Sequence, residues 1–402
     1  MPETCRASAP RSPAAEPGPV PFFSQEATFA EVWPTVRAHC RDVINGGRYA
    51  RGSKVAELEE ALRAWTGARH VVGVNSGTDA LVLLLRAGGL RPGEEVIVPA
   101  FGPAATASAV RLARGRPRFA DIEPAGHGLD PESADAAVTP RTRLLMPAHL
   151  GCQMADMAGI AAVARRHGLR MVEDGARAIG MRWNGVHAGL LGLGGALSFF
   201  PTNTLGAIGD AGAVLTEDPR VAETVADLRL QGRAGRTLDH VPGLSDLGVP
   251  IRVDSRMDDL QAAVLLAKLA RLEADIARRA ELAAGYTERL SGVPGIRRLP
   301  GPVPRDGHGS PVHHAYLVEV EDRDALIRSL TAAGVGSEVF CPVPLHLDPR
   351  FAGLGHRRGE FPNAEAASAT ALALPLYPDL ADDDVERVCD AVRHFYTGRR
   401  AA

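Results

Sequence analysis

Residues 70–86 read HVVGVNSGTDALVLLLR. His70–Val74 is rich in β-branched residues and reads as a short, buried strand. Ser76-Gly77-Thr78 follows it, and Asp79–Arg86 then carries apolar residues at helical spacing. A strand that turns through Ser-Gly-Thr into a helix places backbone N–H groups and hydroxyls at a helix N-terminus. That arrangement suits a phosphate or another anion, although an ordinary helix cap uses the same residues.

The pattern repeats around this unit. Upstream, Val55–Trp65 is an amphipathic helix that ends at Gly67. Downstream, strands are predicted at Glu95–Pro99, Pro117–Ala120, Leu144–Ala148 and Leu169–Val172. Helices separate them, one starting near Ala104 and the clearest at Met157–His167. Strands alternating with helices predict an α/β domain around a mostly parallel, buried sheet. Ligands of such sheets sit at the carboxyl ends of the strands, where Ser76-Gly77-Thr78 and Glu173-Asp174 both fall. Met257–Leu290 reads as one long helical stretch. A strand (Ala315–Val320), a helix (Asp322–Ala333), a Pro/His-rich loop (Cys341–Pro349) and a last helix (Asp382–Phe395) form a smaller α+β domain. The expected organisation is a disordered tail at 1–24, a large domain at 25–270 and a small C-terminal domain at 271–402. The tail follows from MPETCRASAPRSPAAEPGPV, which has no apolar block to bury and no secretory h-region.

Composition narrows the function. The chain has 402 residues, 45% of them hydrophobic, enough for two or three domains. Its 45 basic and 48 acidic residues leave a net charge of −3. No basic run is long enough for nucleic acid or an anionic membrane, and no apolar run of 18 residues could span a bilayer. Five scattered cysteines without a CxxC pair argue against a disulfide framework or a zinc site, and fit a reducing cytoplasm. His313 and His314 are adjacent, so on a strand they face opposite ways and make no metal pair. Only two residues, Lys54 and Lys268, are lysines, which limits where Schiff-base chemistry could sit. Asp174, after a buried strand, is a candidate ligand-binding acid as well as a possible ion-pair partner. Ser198-Phe199-Phe200-Pro201-Thr202 leads from a strand end into a turn with Gly206, Gly209 and Gly212.

Taken in order, the motifs SGT-A-L (76–81), IVPAF (97–101), PAHLGCQ-ADM (147–157), VEDGARA-G (172–180), LSFFPT (197–202), SRMDDLQAA (255–263), PLHL (344–347) and LPLYPDL (374–380) resemble the sugar-aminotransferase (DegT) family. The resemblance runs from about residue 25 to the C-terminus. It implies the large PLP-dependent aspartate-aminotransferase fold (fold type I), a homodimer with its site at the subunit interface, and a small-molecule substrate such as a keto sugar on a nucleotide. Family motifs carried over to this chain make Gly77 and Thr78 a phosphate cup, Ser198 a phosphate contact and Asp174 the partner of the pyridine nitrogen. His149, His314 and His346 stand in their motifs.

The chain departs from the family where the cofactor chemistry lies. The family reads SFFPTK, and its lysine forms the internal aldimine with PLP. Here the position is Asn203, whose amide nitrogen is not nucleophilic and can neither form a Schiff base nor shuttle a proton. Pro103 replaces the aromatic that stacks on the pyridine ring. Arg177 replaces a Gln near the phenolic oxygen and brings a fixed charge. Asp254 replaces an Asn that reaches the phosphate from the partner subunit, where a carboxylate would repel a dianion. Phe340 replaces a His. These changes imply a cleft that survives while the cofactor kit is partly dismantled.

Three readings follow. The first is a repurposed enzyme of specialised metabolism, independent of PLP, acting on a polar small molecule. In it Asp174, Arg177, His149 and His314 are catalytic candidates, and Gly77, Thr78, Pro103, Ser198, Asn203 and Asp254 form a substrate or vestigial cofactor subsite. The second is a dehydratase-like or transaminase-like enzyme that holds PMP or PLP non-covalently. The third is a non-catalytic partner subunit. An ordinary aminotransferase would need another lysine, with Lys54 the candidate.

Overall fold

The computed structural model describes residues 18–49, 52–230, 254–305 and 307–398. The expected tail at 1–17 lies outside the described residues.

The central sheet is built from α/β units. Strand β1 (His70–Val74) leads into α3 (Gly77–Ala87), after α1 (Glu26–Gly46) and α2 (Ser53–Thr66). β2 (Glu95–Pro99), α4 (Ala104–Leu112), β3 (Arg116–Ala120), α5 (Pro131–Ala136), β4 (Thr142–Leu145) and α6 (Met157–His167) follow. The run 170–174 then splits into β5 (Arg170–Met171) and β6 (Glu173–Asp174). It joins two halves: β5 pairs with β4 in the order β3-β2-β4-β5, and β6 belongs to β1-β10-β9-β6. A parallel bridge between Ala148 and Asp174 completes the seam. β9 (Gly195–Ser198) is parallel to β6, whereas β10 (Gly212–Thr216) is antiparallel to both β9 and β1. β10 is therefore the exception in an otherwise parallel arrangement. Residues 199–211 join the two through turns and bends rather than a helical crossover, which lets the chain reverse direction.

β2 and β10 are buried at every position, as strands covered on both faces should be. Val74, Val96, Val98, Val214 and the α3 leucines form the main core between the sheet and its helices. β7 (Arg182–Trp183) and β8 (Val186–His187) form a small hairpin before β9, and α7 (Pro219–Leu228) follows β10.

The long helical stretch expected over 257–290 is two helices, α8 (Asp259–Leu269) and α9 (Leu272–Leu290). No Gly or Pro marks the break. The Arg271 amide donates to the Lys268 carbonyl in a tight turn before α9 resumes. Beyond it, β11 (Ile296–Arg298), β12 (Gly309–Ser310), β13 (Tyr316–Val320), α10 (Arg323–Ala332), α11 (Pro362–Thr370), β14 (Ala371–Leu374) and α12 (Asp382–Gly398) build the C-terminal part. Its antiparallel sheet runs β11-β13-β14. The face of β13 and β14 that carries Leu317 and Ala373 joins the main core, and the face with Val318 and Leu372 joins a second core with α9 and α12.

Residues 18–24 are not part of a tail. Val20 is buried and bridges Val335, with its amide on the Gly334 carbonyl at 2.9 Å and its carbonyl accepting from Gly336 at 2.8 Å. Phe23 packs edge-on to Tyr377. A Pro-rich sequence reads as tail material because its partner strand lies far away in the chain. Among the described residues, no helix is long and apolar enough to cross a membrane.

Candidate active site

The turn at 75–78 carries the first wall of the site. Ser76 caps α3, its hydroxyl accepting from the Asp79 amide at 3.1 Å. Asp79 is itself fixed by the Ser255 hydroxyl at 2.7 Å, and the same Ser255 oxygen takes the Asn75 amide at 3.1 Å. Gly77 lies so close to β9 that an added Cβ would stand 2.5 Å from Ser198 Cβ. The helix N-terminus and the Ser198 hydroxyl therefore sit side by side, both donors, as an anion requires.

Asp174 forms the floor, at the end of β6 and 4% exposed. Thr106, in the first turn of α4, donates its hydroxyl to Asp174 Oδ2 at 2.5 Å, and the Ala176 amide donates to Oδ1 at 3.2 Å. Pro103, whose φ of −60° suits its ring, opens α4 beside it.

Asn203 closes the turn after β9. Its Nδ2 donates to the Ser198 carbonyl at 2.8 Å and to the Ala176 carbonyl at 3.4 Å. Both neighbours are acceptors, so the nitrogen must be the atom that faces them. The side chain is thus spent on holding two backbone segments together.

These groups meet in one cavity of about 250 Å³. Gly77, Thr78, Pro103, Asp174, Arg177, Ser198, Asn203 and His314 all line it. His314 is buried, Nδ1 has no partner, and burial together with Arg177 and Arg279 holds its pKa well below the usual imidazole value. It therefore stands neutral in the wall. The Arg177 guanidinium lies over the Phe340 ring, 4.6 Å from its centroid.

One expected catalytic residue is not brought to the cavity. His149 is 1% exposed, with Nε2 on Glu173 Oε2 at 3.0 Å and Nδ1 accepting from the Ala155 amide at 3.2 Å. Glu173 in turn takes the amides of Gly189, Leu191 and Gly192. His149 belongs to that buried network, one residue of strand alternation away from Asp174. Asp254, expected to reach the site of a neighbouring subunit, is exposed and forked onto Arg256 at 2.7 and 2.9 Å on this chain's own surface. His346 is buried against Glu365 at 3.1 Å. Neither lysine reaches the cavity. Lys54 is buried and paired with Glu57 at 2.9 Å, not solvated as its place at a helix start suggests. Lys268 Nζ donates to the Gly206 carbonyl and to Gln25 Oε1, and burial pushes its pKa down to about 8.

The sequence reading missed Phe22, Phe23, Phe200 and Glu338 in the lining. Phe22 stands edge-on to Phe340, 6.4 Å between centroids. The FF pair at 22–23 was the available signal, since a tail has no reason to carry adjacent aromatics.

Known proteins resemble this chain along most of its length. The chain is 39% identical over 384 residues to the dTDP-3-amino-3,4,6-trideoxy-alpha-D-glucose transaminase of Streptomyces venezuelae, covering 96% of this chain and 98% of that protein. It is 37% identical over 378 residues to the pleiotropic regulatory protein of Geobacillus stearothermophilus, covering 94% and 98%. The crystal structure of S. venezuelae DesV in complex with a ketimine intermediate superposes with a TM-score of 0.87 at 39% identity, covering 94% of this chain and 99% of that one. Its fold is accordingly that of the PLP-dependent aminotransferases, the mixed α/β sheet with its C-terminal extension. The model of the DegT/DnrJ/EryC1/StrS aminotransferase family matches residues 34–393, and the chain belongs to that family.

Proposed function

We propose that this chain is a cytoplasmic enzyme of amino-sugar metabolism that acts on a keto sugar and holds PMP or PLP without a covalent bond. Names among its relatives support the substrate class, the S. venezuelae protein being a dTDP-amino-sugar transaminase. The observation that carries the cofactor reading is a division within one cavity. The groups that would hold a phosphopyridine converge, while the position of the anchoring lysine is filled by an amide committed to backbone carbonyls.

The residues fit such a group by its non-covalent contacts. Gly77, Thr78 and Ser198 would take the phosphate at the α3 N-terminus. Asp174, held by Thr106 and the Ala176 amide, would hold a proton on the ring nitrogen. Bound there, the group supplies an electron-withdrawing ring and an exchangeable amine. Asn203 moves no proton, so proton transfer falls to another lining residue. His314, which lines the cavity and whose Nδ1 has no partner, is the candidate to take it. We take the working unit to be a homodimer: Phe200 and Ile208, on the turn beside the cavity, are more than half exposed and suit a covering partner.

The test is a calorimetric and absorbance titration of the purified protein with PMP and PLP. Saturable binding is expected, with the cofactor lost on dialysis after borohydride treatment because no lysine is there to fix it. Failure of both to bind overturns this reading. It would favour the second one, a PLP-independent enzyme whose cavity takes its polar substrate directly, which the unpaired charge of Arg177 supports.

A further inference from the structure

Lys268, one of the chain's two lysines, stands in the last turn of α8 and is 2% exposed. Among the described residues its ammonium pairs with no carboxylate. The two acids whose fields reach it are committed elsewhere, Asp275 to Arg271 and Asp379 to the amide and hydroxyl of Thr28. Three neutral groups receive its three N–H bonds instead: the Gly206 carbonyl at 2.6 Å, Gln25 Oε1 at 3.0 Å and the Phe29 ring, 5.5 Å from its centroid. Gln25 passes the tie on, its Nε2 donating to the Pro201 carbonyl at 3.0 Å. Pro201 and Gly206 are the two ends of the turn that carries Thr202 and Asn203 into the cavity. That turn is closed tightly, since a Cβ on Gly206 would stand 2.3 Å from the Pro201 carbonyl oxygen. Gln25 ends the segment 18–25, whose Phe22 and Phe23 also line the cavity. Neither Lys268 nor Gln25 is in the lining, so one buried cation holds two walls from behind. Burying an ammonium among neutral acceptors is costly, and the same burial pushes its pKa down to about 8. An apolar side chain would avoid that cost; what the lysine adds is the tie between the two segments.

We propose that Lys268 is a positioning residue that latches the segment 18–25 to the turn at 201–206, and that this latch retains a cofactor which the chain cannot fix by a covalent bond. The inference rests on the reading of the cavity as a PMP or PLP site. With an amide at 203, the occupant stays only as long as its non-covalent contacts and the enclosing walls keep it. Walls that are tied together part less often, which slows release without adding any contact to the occupant. Phe200, in the lining and 51% exposed, marks the turn at 201–206 as the side that meets solvent. The remaining lysine near this turn thus serves the cofactor by enclosure rather than by chemistry.

Hydrogen exchange of the full chain without cofactor, read by mass spectrometry, tests the latch by itself. In Lys268→Met the Gly206 carbonyl and Gln25 Oε1 lose their donor. Peptides covering 18–25 and 199–208 should exchange about tenfold faster, while β1 and β2 keep the wild-type rate. Gln25→Ala cuts the same tie without touching the buried cation and should loosen the same two segments. The double variant should add little to either single one, as expected of groups in one network. If Lys268→Met does not fold by circular dichroism, Gln25→Ala carries the comparison. Unchanged exchange in both segments, or loosening of only one of them, overturns the latch. Stopped-flow absorbance with PMP then tests retention. Its association and release rates should both rise about tenfold in the variant, because a looser mouth speeds passage in both directions and leaves affinity near that of the wild type. Faster release at an unchanged association rate would mean a lost contact rather than a lost enclosure, and overturns retention. A wild type that binds neither PMP nor PLP overturns the cofactor reading and retention with it, while the exchange result still decides the latch.

Discussion

Asn203 does a structural job at the position where the family resemblance places a reactive lysine. Its amide bonds Ser198 and Ala176, so the position that would carry the anchoring lysine now braces the turn after β9. Asn203→Lys should restore a reducible covalent bond: after borohydride, mass spectrometry should find PLP on the introduced amine and none on the wild type. PLP that binds the variant yet stays unfixed would show that the side chain at 203 no longer points to the cofactor. The loss of the brace should also cost about 1 kcal/mol in urea unfolding. Single residues were legible from sequence where a motif fixed both identity and place, as with Asp174, Ser198 and Asn203. His149 was not, because its motif says nothing of which face of the strand end it takes, and its real partner is Glu173. Phe22 and Phe340 meet across almost the whole chain, and no local pattern reports such a contact.

The turn between β1 and α3 works as a unit because Gly77 lets the helix start against β9. Its requirement is for space rather than for an unusual φ. In Gly77→Ala the new methyl would stand 2.5 Å from Ser198 Cβ, with backbone close behind at 3.1 Å, so the helix start and the strand must part. We expect roughly 1–3 kcal/mol of destabilisation in urea unfolding, with weaker PMP binding by calorimetry. Unchanged stability and unchanged binding together would mean that the turn does not rest on Ser198 in solution. Elements with strong periodicity and clear punctuation were legible: β1, β2 and α6 stand where their residues predict. The reversal at β10 and the break between α8 and α9 were not. Each depends on what the segment packs against, since β10 has the run of apolar residues that any buried strand has, and Ala270-Arg271 is good helical sequence.

Across the molecule, several histidines are kept neutral. His187 is fully buried, its Nδ1 paired with the Ala188 carbonyl at 2.6 Å and its Nε2 accepting from the Gly180 amide at 2.9 Å. That pairing needs the uncharged ring, and burial pushes its pKa down to about 4. His313, His314 and His346 are also held below the ordinary imidazole value, chiefly by burial. The unfolded chain protonates these rings near pH 6.5 and the folded one does not, so unfolding takes up protons in that window and stability falls as pH drops from about 6.5 to about 4. His187 alone accounts for roughly 3 kcal/mol over the full window. Urea midpoints measured from pH 7 down to pH 5 should decline steadily; a flat profile would exclude neutral burial of these rings. The α/β architecture was legible as a whole from its alternation, whereas the closure of the cavity by residues 18–23 was not. That closure has a consequence for how the protein is made. Val20 emerges from the ribosome early, but its partners Gly334–Gly336, like Phe340 opposite Phe22, emerge only after most of the chain has been translated. The turn at 75–78 and Asp174 can be in place on a nascent chain, while the wall that shuts them in has to wait until residues 334–340 have emerged. A chain made only as far as β10 therefore carries the floor of the cavity without its enclosure.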